Sequence, residues 1–184
     1  VRELGTQIDP NKDKVTLSQG AKSSLSKKET VIVHKPREIT SSRKNDEGKT
    51  IYDLIPKLSN LDIVGRLDRA SEGLLLLSND GVVAKAITGD KHLTEKEYVV
   101  TVREDISISK IKAMEQGIKL EDGLTLPAKA KLLSPNQFSI ILREGRKHQI
   151  RRMCDHLKLT VTSLKRIRIG DIKLGNLKPG EYRM

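Results

Sequence analysis

Residues 73–80 read GLLLLSND, and the four consecutive leucines constrain the fold more than any other feature of the chain. Side chains of a strand alternate between its faces, so an unbroken apolar run leaves neither face for water. Such a strand needs packed layers above and below it. Strand-like runs recur at 30–36 (TVIVHKP), 61–68 (LDIVGRLD), 95–102 (EKEYVVTV), 128–133 (AKAKLL), 138–144 (FSIILRE) and 163–174 (SLKRIRIGDIKL). Helical patterns fall at 51–58, 81–88, 107–118 and 146–158. The first is started by Thr50 with Asp53 in capping-box spacing, the second by Asp80. Asp122-Gly123 marks a hairpin turn within 119–126. Strands outnumber helices and do not alternate with them regularly. The expected class is therefore α+β, with a largely antiparallel or mixed central sheet and flanking helices. Residues 18–28 read as a polar linker and 41–50 as a polar, mobile loop.

Charge narrows the partner. The chain of 184 residues carries 35 Lys+Arg against 24 Asp+Glu, a net +11 that points to a polyanion. No apolar run approaches the ~20 residues of a membrane span, and no signal segment opens the chain, so a cytoplasmic protein is expected. Cys154 is alone, which excludes an internal disulfide, and His34, His92, His148 and His156 lack zinc-site spacing. No P-loop, dinucleotide fingerprint, acidic Mg²⁺ cluster or nucleophile elbow occurs, so no metal and no cofactor are expected. Tyr52, Tyr98, Phe138 and Tyr182 are the whole aromatic complement. A reader of single strands usually stacks several bases on exposed rings, so binding here must rest mainly on charge.

Three constellations carry chemistry. GRLDRASEGLLLL (65–77) sets Asp68 between Arg66 and Arg69 where a strand ends. A surface ion pair or a turn-capping role would account for an aspartate there as well as chemistry would. In EGRKHQIRRMCDH (144–156), Arg146, Lys147, His148, Arg151 and Arg152 crowd the first turns of the predicted helix. Cations at a helix N-terminus oppose its dipole, so an anion is expected beside them: RNA phosphate or a carboxylate such as Asp68. A solvated basic face explains Lys147 and Arg152 but fits Arg151 less well, because Arg151 borders the apolar stripe of Ile150, Met153, Cys154 and Leu157. Tyr98 shares a strand face with Lys96 and Val100; it is either a core ring or a wall for one flipped base. On the strand at 163–174, alternation puts Arg166 and Arg168 on one face and Ile167 and Ile169 on the other.

These residues resemble a known pattern. GRLDRASEGLLLLSNDG is similar to the G-R-L-D-x-x-[ST]-x-G-L-L-x-L-T-N-D-G signature of bacterial ribosomal RNA pseudouridine synthases that modify single uridines. HKP (34–36), EKEYVV (95–100), GIKLEDGLTLPAKA (117–130), EGRKHQIRRMCDH (144–156) and LKRIRIGDIKLGNLKPGEYR (164–183) follow in that family's order. The resemblance implies a pseudouridine synthase domain over residues 25–184, and a remnant of an S4-type RNA-binding module plus linker over 1–24, of which most would lie upstream. It further implies that Asp68 is the catalytic aspartate, Tyr98 the ring against the target base, Arg151 the partner of the aspartate and Ile150 an apolar wall. Lys96 is expected to bind substrate with them. One departure stands out: Glu38 occupies a position that is usually glycine, which unsettles the geometry of residues 36–44.

The implied activity is cofactor-free isomerisation of uridine in ribosomal RNA, with large-subunit (23S) rRNA favoured over small-subunit (16S) rRNA or tRNA. Its target would be a uridine in a single strand or stem-loop. Arg66, Arg146, Lys147, His148, Arg152, Arg166 and Arg168 form the expected RNA-facing set, and the chain is expected to act as a monomer without membrane contact. The main alternative is a non-catalytic RNA-binding or ribosome-assembly module on the same fold, whose salt-sensitive binding would survive loss of Asp68.

Overall fold

The computed structural model describes residues 28–44, 46, 48–89 and 93–184; the expected module over 1–24 lies outside them. Eleven strands follow in chain order: β1 (Thr30–Lys35), β2 (Asp62–Val64), β3 (Glu72–Ser78), β4 (Lys96–Val102), β5 (Lys119–Leu120), β6 (Gly123–Leu124), β7 (Lys129–Ser134), β8 (Gln137–Leu142), β9 (Val161–Ile169), β10 (Ile172–Lys173) and β11 (Tyr182–Arg183). Helices are α1 (Ile51–Leu54), α2 (Gly81–Thr88), α3 (Ile108–Gln116) and α4 (Gln149–His156). The main sheet runs β11-β1-β3-β9-β4-β8-β7, with β2 beside β3 and β10 beside β9, while β5 and β6 form a separate hairpin. Among the strands of the described residues only β3 and β9 pair in parallel, and the other strand pairings are antiparallel. The α+β class with a mixed sheet holds. No helix among the described residues is long and apolar enough to cross a membrane.

The four leucines of β3 are fully buried. Leu75 and Leu77 pack with Val31, Val33, Ile51 and Leu58 on one face, and Leu74 and Leu76 with Val64, Ile87, Ile169 and Leu174 on the other. A third cluster seats α3 and α4 on the far half of the sheet through Met114, Ile150 and Met153 against Val100, Phe138 and Ile140. At about 25 cal/mol per Å² of apolar surface, these layers supply the main driving force for folding. Local signals set the helix starts. Thr50 and Asp53 exchange both capping-box bonds, and the Asp80 carboxylate accepts the Val82 N–H. Pro56 stops α1 after one turn, so the helix expected through residue 58 finishes as a separate 3₁₀ turn, Pro56–Leu58.

The edge of β3 changes partner along its length. Glu72 and Gly73 pair with Lys165 and Arg166 of β9, whereas Leu76–Ser78 pair with Val64–Asp62 of β2. The fork between the two partners releases residues 65–71, the turn that carries Asp68. Gly73 sits at its apex with φ +111°, so close to β9 that a Cβ there would lie 2.2 Å from the Arg166 carbonyl oxygen.

Residue 38 also needs unusual backbone. Glu38 adopts φ +63°, a left-handed conformation that favours glycine, and its N–H reaches the Arg69 carbonyl at 2.9 Å. The glycine expected at this position is thus a conformational requirement that the glutamate meets under strain. Its carboxylate pairs with Arg69 at 3.2 Å, both side chains being half exposed. Such a pair offsets little, whereas left-handed strain costs about 1 kcal/mol. Glu38→Gly is therefore expected to raise the unfolding free energy by up to about 1 kcal/mol in a urea titration, after the added chain entropy of glycine. A loss of stability would show instead that the Arg69 pair dominates.

Candidate active site

The turn 65–71 is pinned from several sides. The Ser41 hydroxyl, buried, donates to the Leu67 carbonyl at 2.9 Å and accepts the Leu67 N–H at 3.2 Å. Residue 41 is thus part of the scaffold and not of a mobile loop. The Ser71 N–H closes the turn on the Asp68 carbonyl at 3.0 Å. Arg151, from the first turn of α4, donates to the Ala70 carbonyl at 3.1 Å. That carbonyl belongs to the cleft lining and requires a donor, so Arg151 holds the turn that carries Asp68. Among the described residues, the side chain that approaches Asp68 is His148, Nε2 to Oδ1 at 3.5 Å, a pair that is charged only when the imidazole is protonated. His148 caps α4 with φ +51°, and left-handed non-glycine residues concentrate at sites where the surroundings over-determine them.

Asp68, Lys96, Tyr98, Ile150 and Arg151 line one cleft of about 1300 Å³, brought there by the turn, by β4 and by α4. This exceeds the roughly 300–1,000 Å³ of a pocket for one small molecule. Eight lysines and arginines line it against two carboxylates, Asp68 and Glu144. Ile150 is buried, Tyr98 half-buried, and the Asp68 side chain is 38% exposed across the cleft.

Arg166 occupies the fork itself. It is buried at 2% exposure, and its guanidinium donates to the carbonyls of Leu74 (2.8 Å), Gly65 (2.9 Å) and Arg66 (3.3 Å). These are acceptors that the divergence of β2 from β9 leaves without ladder partners. Arg166 is hence a strut beneath the Asp68 turn, not a phosphate contact.

Arg168, expected on the same face, lies on the opposite one. Tyr98 pairs with Arg166 but Glu97 with Arg168, so a bulge at Ile167 reverses the alternation. Arg168 is held by Glu97 (2.7 Å) and Glu95 (3.1 Å), outside the cleft. Burial takes Arg166 out of the expected RNA-facing set, and Arg168 is held by carboxylates within the fold.

The basic stretch before α4 has a similar outcome. The helix begins at Gln149, so Arg146 and Lys147 precede it instead of loading its first turns. Arg146 pairs with Glu144 (3.0 Å) and Asp122 (3.4 Å) and donates to the Gly123 and Leu124 carbonyls, while Arg152 pairs with Asp122 at 2.9 Å. The anions demanded by those cations are therefore internal, and they tie the β5–β6 hairpin to α4. Arg146 and Arg152, expected to face RNA, thus have carboxylate partners within the fold. Among the described residues, Arg66 and Lys147 are the exposed cleft cations without an ion pair.

A residue that sequence reading passed over stands behind the turn. Lys35 is fully buried, and its Nζ donates to the carbonyls of Ile39 (2.6 Å), Pro36 (2.8 Å) and Arg69 (3.4 Å). The signal was a lysine closing the apolar strand TVIVHK. Burial pushes its ammonium down to about 8, against a partial upward pull from the carboxylates of Asp68 and Glu38. Below pH 8 the lysine is protonated in folded and unfolded chains alike. From pH 8 to about 10.4 the unfolded chain holds the extra proton, so this group makes stability rise by up to about 1.4 kcal/mol per pH unit. Lys35→Met removes that rise. Urea titrations are expected to show wild type gaining about 1–2 kcal/mol on the variant between pH 7 and 9.5; a constant gap would refute the assignment.

Residues 29–156 match the RNA pseudouridylate synthase family. The chain is 34% identical over 178 residues to ribosomal large subunit pseudouridine synthase E of Vibrio parahaemolyticus, covering 86% of this chain and 74% of that protein. It is 35% identical over 170 residues to ribosomal small subunit pseudouridine synthase A of Vibrio cholerae, covering 90% and 74%. A crystal structure of a pseudouridylate synthase superposes with a TM-score of 0.80 at 36% identity, covering 85% of this chain and 70% of that one.

Proposed function

The chain belongs to the RNA pseudouridylate synthase family, and from that premise we propose that it isomerises uridine in large-subunit ribosomal RNA with Asp68 as the catalytic carboxylate. It is an isomerase. Pseudouridine is the C5-linked isomer of uridine, so the reaction must detach uracil from its ribose, turn it and rejoin it through C5. The observation that carries the assignment of Asp68 is the convergence of the turn, β4 and α4 on one cationic cleft, whose lining Asp68 shares with Tyr98 and the apolar Ile150. A base inside a stem cannot reach such a carboxylate, so the target uridine must be flipped out of its stack. Tyr98 then backs the flipped ring, and Ile150 keeps water from the detached base. Arg66 and Lys147, at the exposed mouth, are the cations open to the flanking phosphates. His148, which faces Asp68 across 3.5 Å, closes the cleft on the α4 side. We assign the catalytic domain to residues 25–184 and take the chain to act as a monomer on a single-stranded or stem-loop uridine.

Rejoining through C5 expels the hydrogen at that carbon. Transcripts of large-subunit rRNA, small-subunit rRNA and tRNA labelled with tritium at uridine C5 test the reading directly. Release is expected from the large-subunit transcript. Release from the small-subunit transcript alone would move the target to that RNA, and silence from all three would leave an RNA-binding module.

A further inference from the structure

Breaking the N1–C1′ bond leaves its electron pair on the base, so uracil departs as an anion whose charge is shared by N1, O2 and O4. The cleft must supply a cation to that charge, and most of its cations already have partners. Arg166 is bound to three carbonyls, Arg151 to the Ala70 carbonyl, Arg146 to Glu144 and Asp122, Arg143 to Glu95 and Arg69 to Glu38. Arg66 and Lys147 are exposed at the mouth. Lys96 and Arg151 are the half-buried cleft cations that each give a single bond to a neutral carbonyl, and Lys96 is set apart by its place beside Tyr98. It lies on the face of β4 that also carries Tyr98, is half-buried in the cleft, and gives one N–H to the Thr94 carbonyl at 3.1 Å, leaving two free. No carboxylate among the described residues pairs with it, and its neighbour Glu97 faces the other side of the sheet with Arg168.

We propose that Lys96 is a catalytic residue, whose ammonium donates a hydrogen bond to a ring carbonyl oxygen of the departing uracil and holds the anion while it turns. The proposal rests on the synthase reading above and adds to it the group that receives the charge. The balance is simple. N1–C1′ breaks with both electrons on N1, C5–C1′ forms, the C5 proton passes to solvent, and N1 regains a proton from solvent. Lys96 keeps its own proton throughout, and nothing is oxidised or reduced. Burial, and then the nearby Arg166, hold its ammonium below the usual lysine range. An incoming anion is therefore favoured beside it. The other charged groups that share the cleft are Arg143 and Glu144 after β8, His148 and Arg151 at α4, and Asp68 of the turn.

The test is the single-turnover rate of C5-tritium release, with enzyme in excess, for wild type, Lys96→Met, Lys96→Arg and Asp68→Asn. Lys96→Met is expected to lose about 10²-fold or more in rate, as when one preorganised donor to developing charge is removed, with RNA affinity within about twofold of wild type. Lys96→Arg is expected to recover most of the loss. The alkaline fall in wild-type rate, to which Lys35 behind the turn also contributes, should extend to higher pH in Lys96→Arg, an effect that a merely structural role would not produce. A Lys96→Met rate within threefold of wild type overturns the proposal, as does a loss of rate matched by an equal loss of RNA binding. Either result leaves the synthase reading intact if wild type releases tritium and Asp68→Asn does not. Silence from wild type itself overturns both.

Discussion

Asp68→Asn is expected to abolish C5-tritium release, by about 10³-fold or more, while leaving the fold and RNA binding in place. The change keeps the shape of the side chain and removes its charge. The turn that carries it is held by backbone and neighbouring groups that the substitution does not touch: Ser41 on Leu67, the Ser71 N–H on the Asp68 carbonyl, and Arg151 on the Ala70 carbonyl. The one contact altered, to His148, joins two side chains that are 38% and 50% exposed, and even a charged pair so exposed contributes at most about 1 kcal/mol. Thermal stability should therefore stay within about 1 kcal/mol of wild type. RNA affinity should be unchanged or slightly higher, because one of two carboxylates leaves a cleft lined by eight lysines and arginines. Filter binding and single-turnover release on the same transcript separate the two effects. A variant that still releases tritium within tenfold of wild type would remove Asp68 from the catalytic role.

How far the sequence discloses this site depends on the range of the contacts involved. Leu74, Leu75, Leu76 and Leu77 declare a doubly covered strand, and Thr50, Asp53 and Asp80 declare helix starts, because a cap or a strand face is decided within a few residues. Tyr98 and Lys96 share a face for the same reason, and both line the cleft with Asp68. The arginines are different. Arg166 and Arg168 read as one face only while the alternation is unbroken, and the bulge at Ile167 is a property of the β4–β9 register, which no local pattern encodes. The three carbonyls that bind Arg166 become unpaired only where β2 and β9 part beside β3. Arg146 and Arg152 likewise meet Asp122 across a hairpin some 24–30 residues away. A basic composition predicts a cationic cleft but cannot say which cations are neutralised inside the fold.

The same fork makes Gly73 the most sensitive backbone position near the site. Gly73→Ala is expected to destabilise the domain by about 4 kcal/mol or more, and to abolish activity in whatever fraction still folds. Two independent penalties act there. At φ +111° a residue with a Cβ is strained in any surroundings, at a cost of order 1–3 kcal/mol. The added methyl would also lie 2.2 Å from the carbonyl oxygen and 2.7 Å from the nitrogen of Arg166, both backbone atoms that cannot rotate away. Strand β9 must retreat from β3, and the Arg166 guanidinium must retreat with it from the Leu74, Gly65 and Arg66 carbonyls. Those carbonyls hold the root of the Asp68 turn, so the chemistry should fail together with the packing. With about 2–4 °C per kcal/mol for a domain of this size, the midpoint should fall by roughly 8–16 °C. Gly81→Ala is the matched control, since a Cβ there meets nothing within 4 Å and the site is the first residue of α2. That substitution should be neutral or stabilising by up to about 1 kcal/mol. Calorimetry of the two variants beside wild type decides the matter: a Gly73→Ala midpoint within 3 °C of wild type would mean that β3 and β9 can part without loss, and that Arg166 does not depend on their contact to hold the catalytic turn.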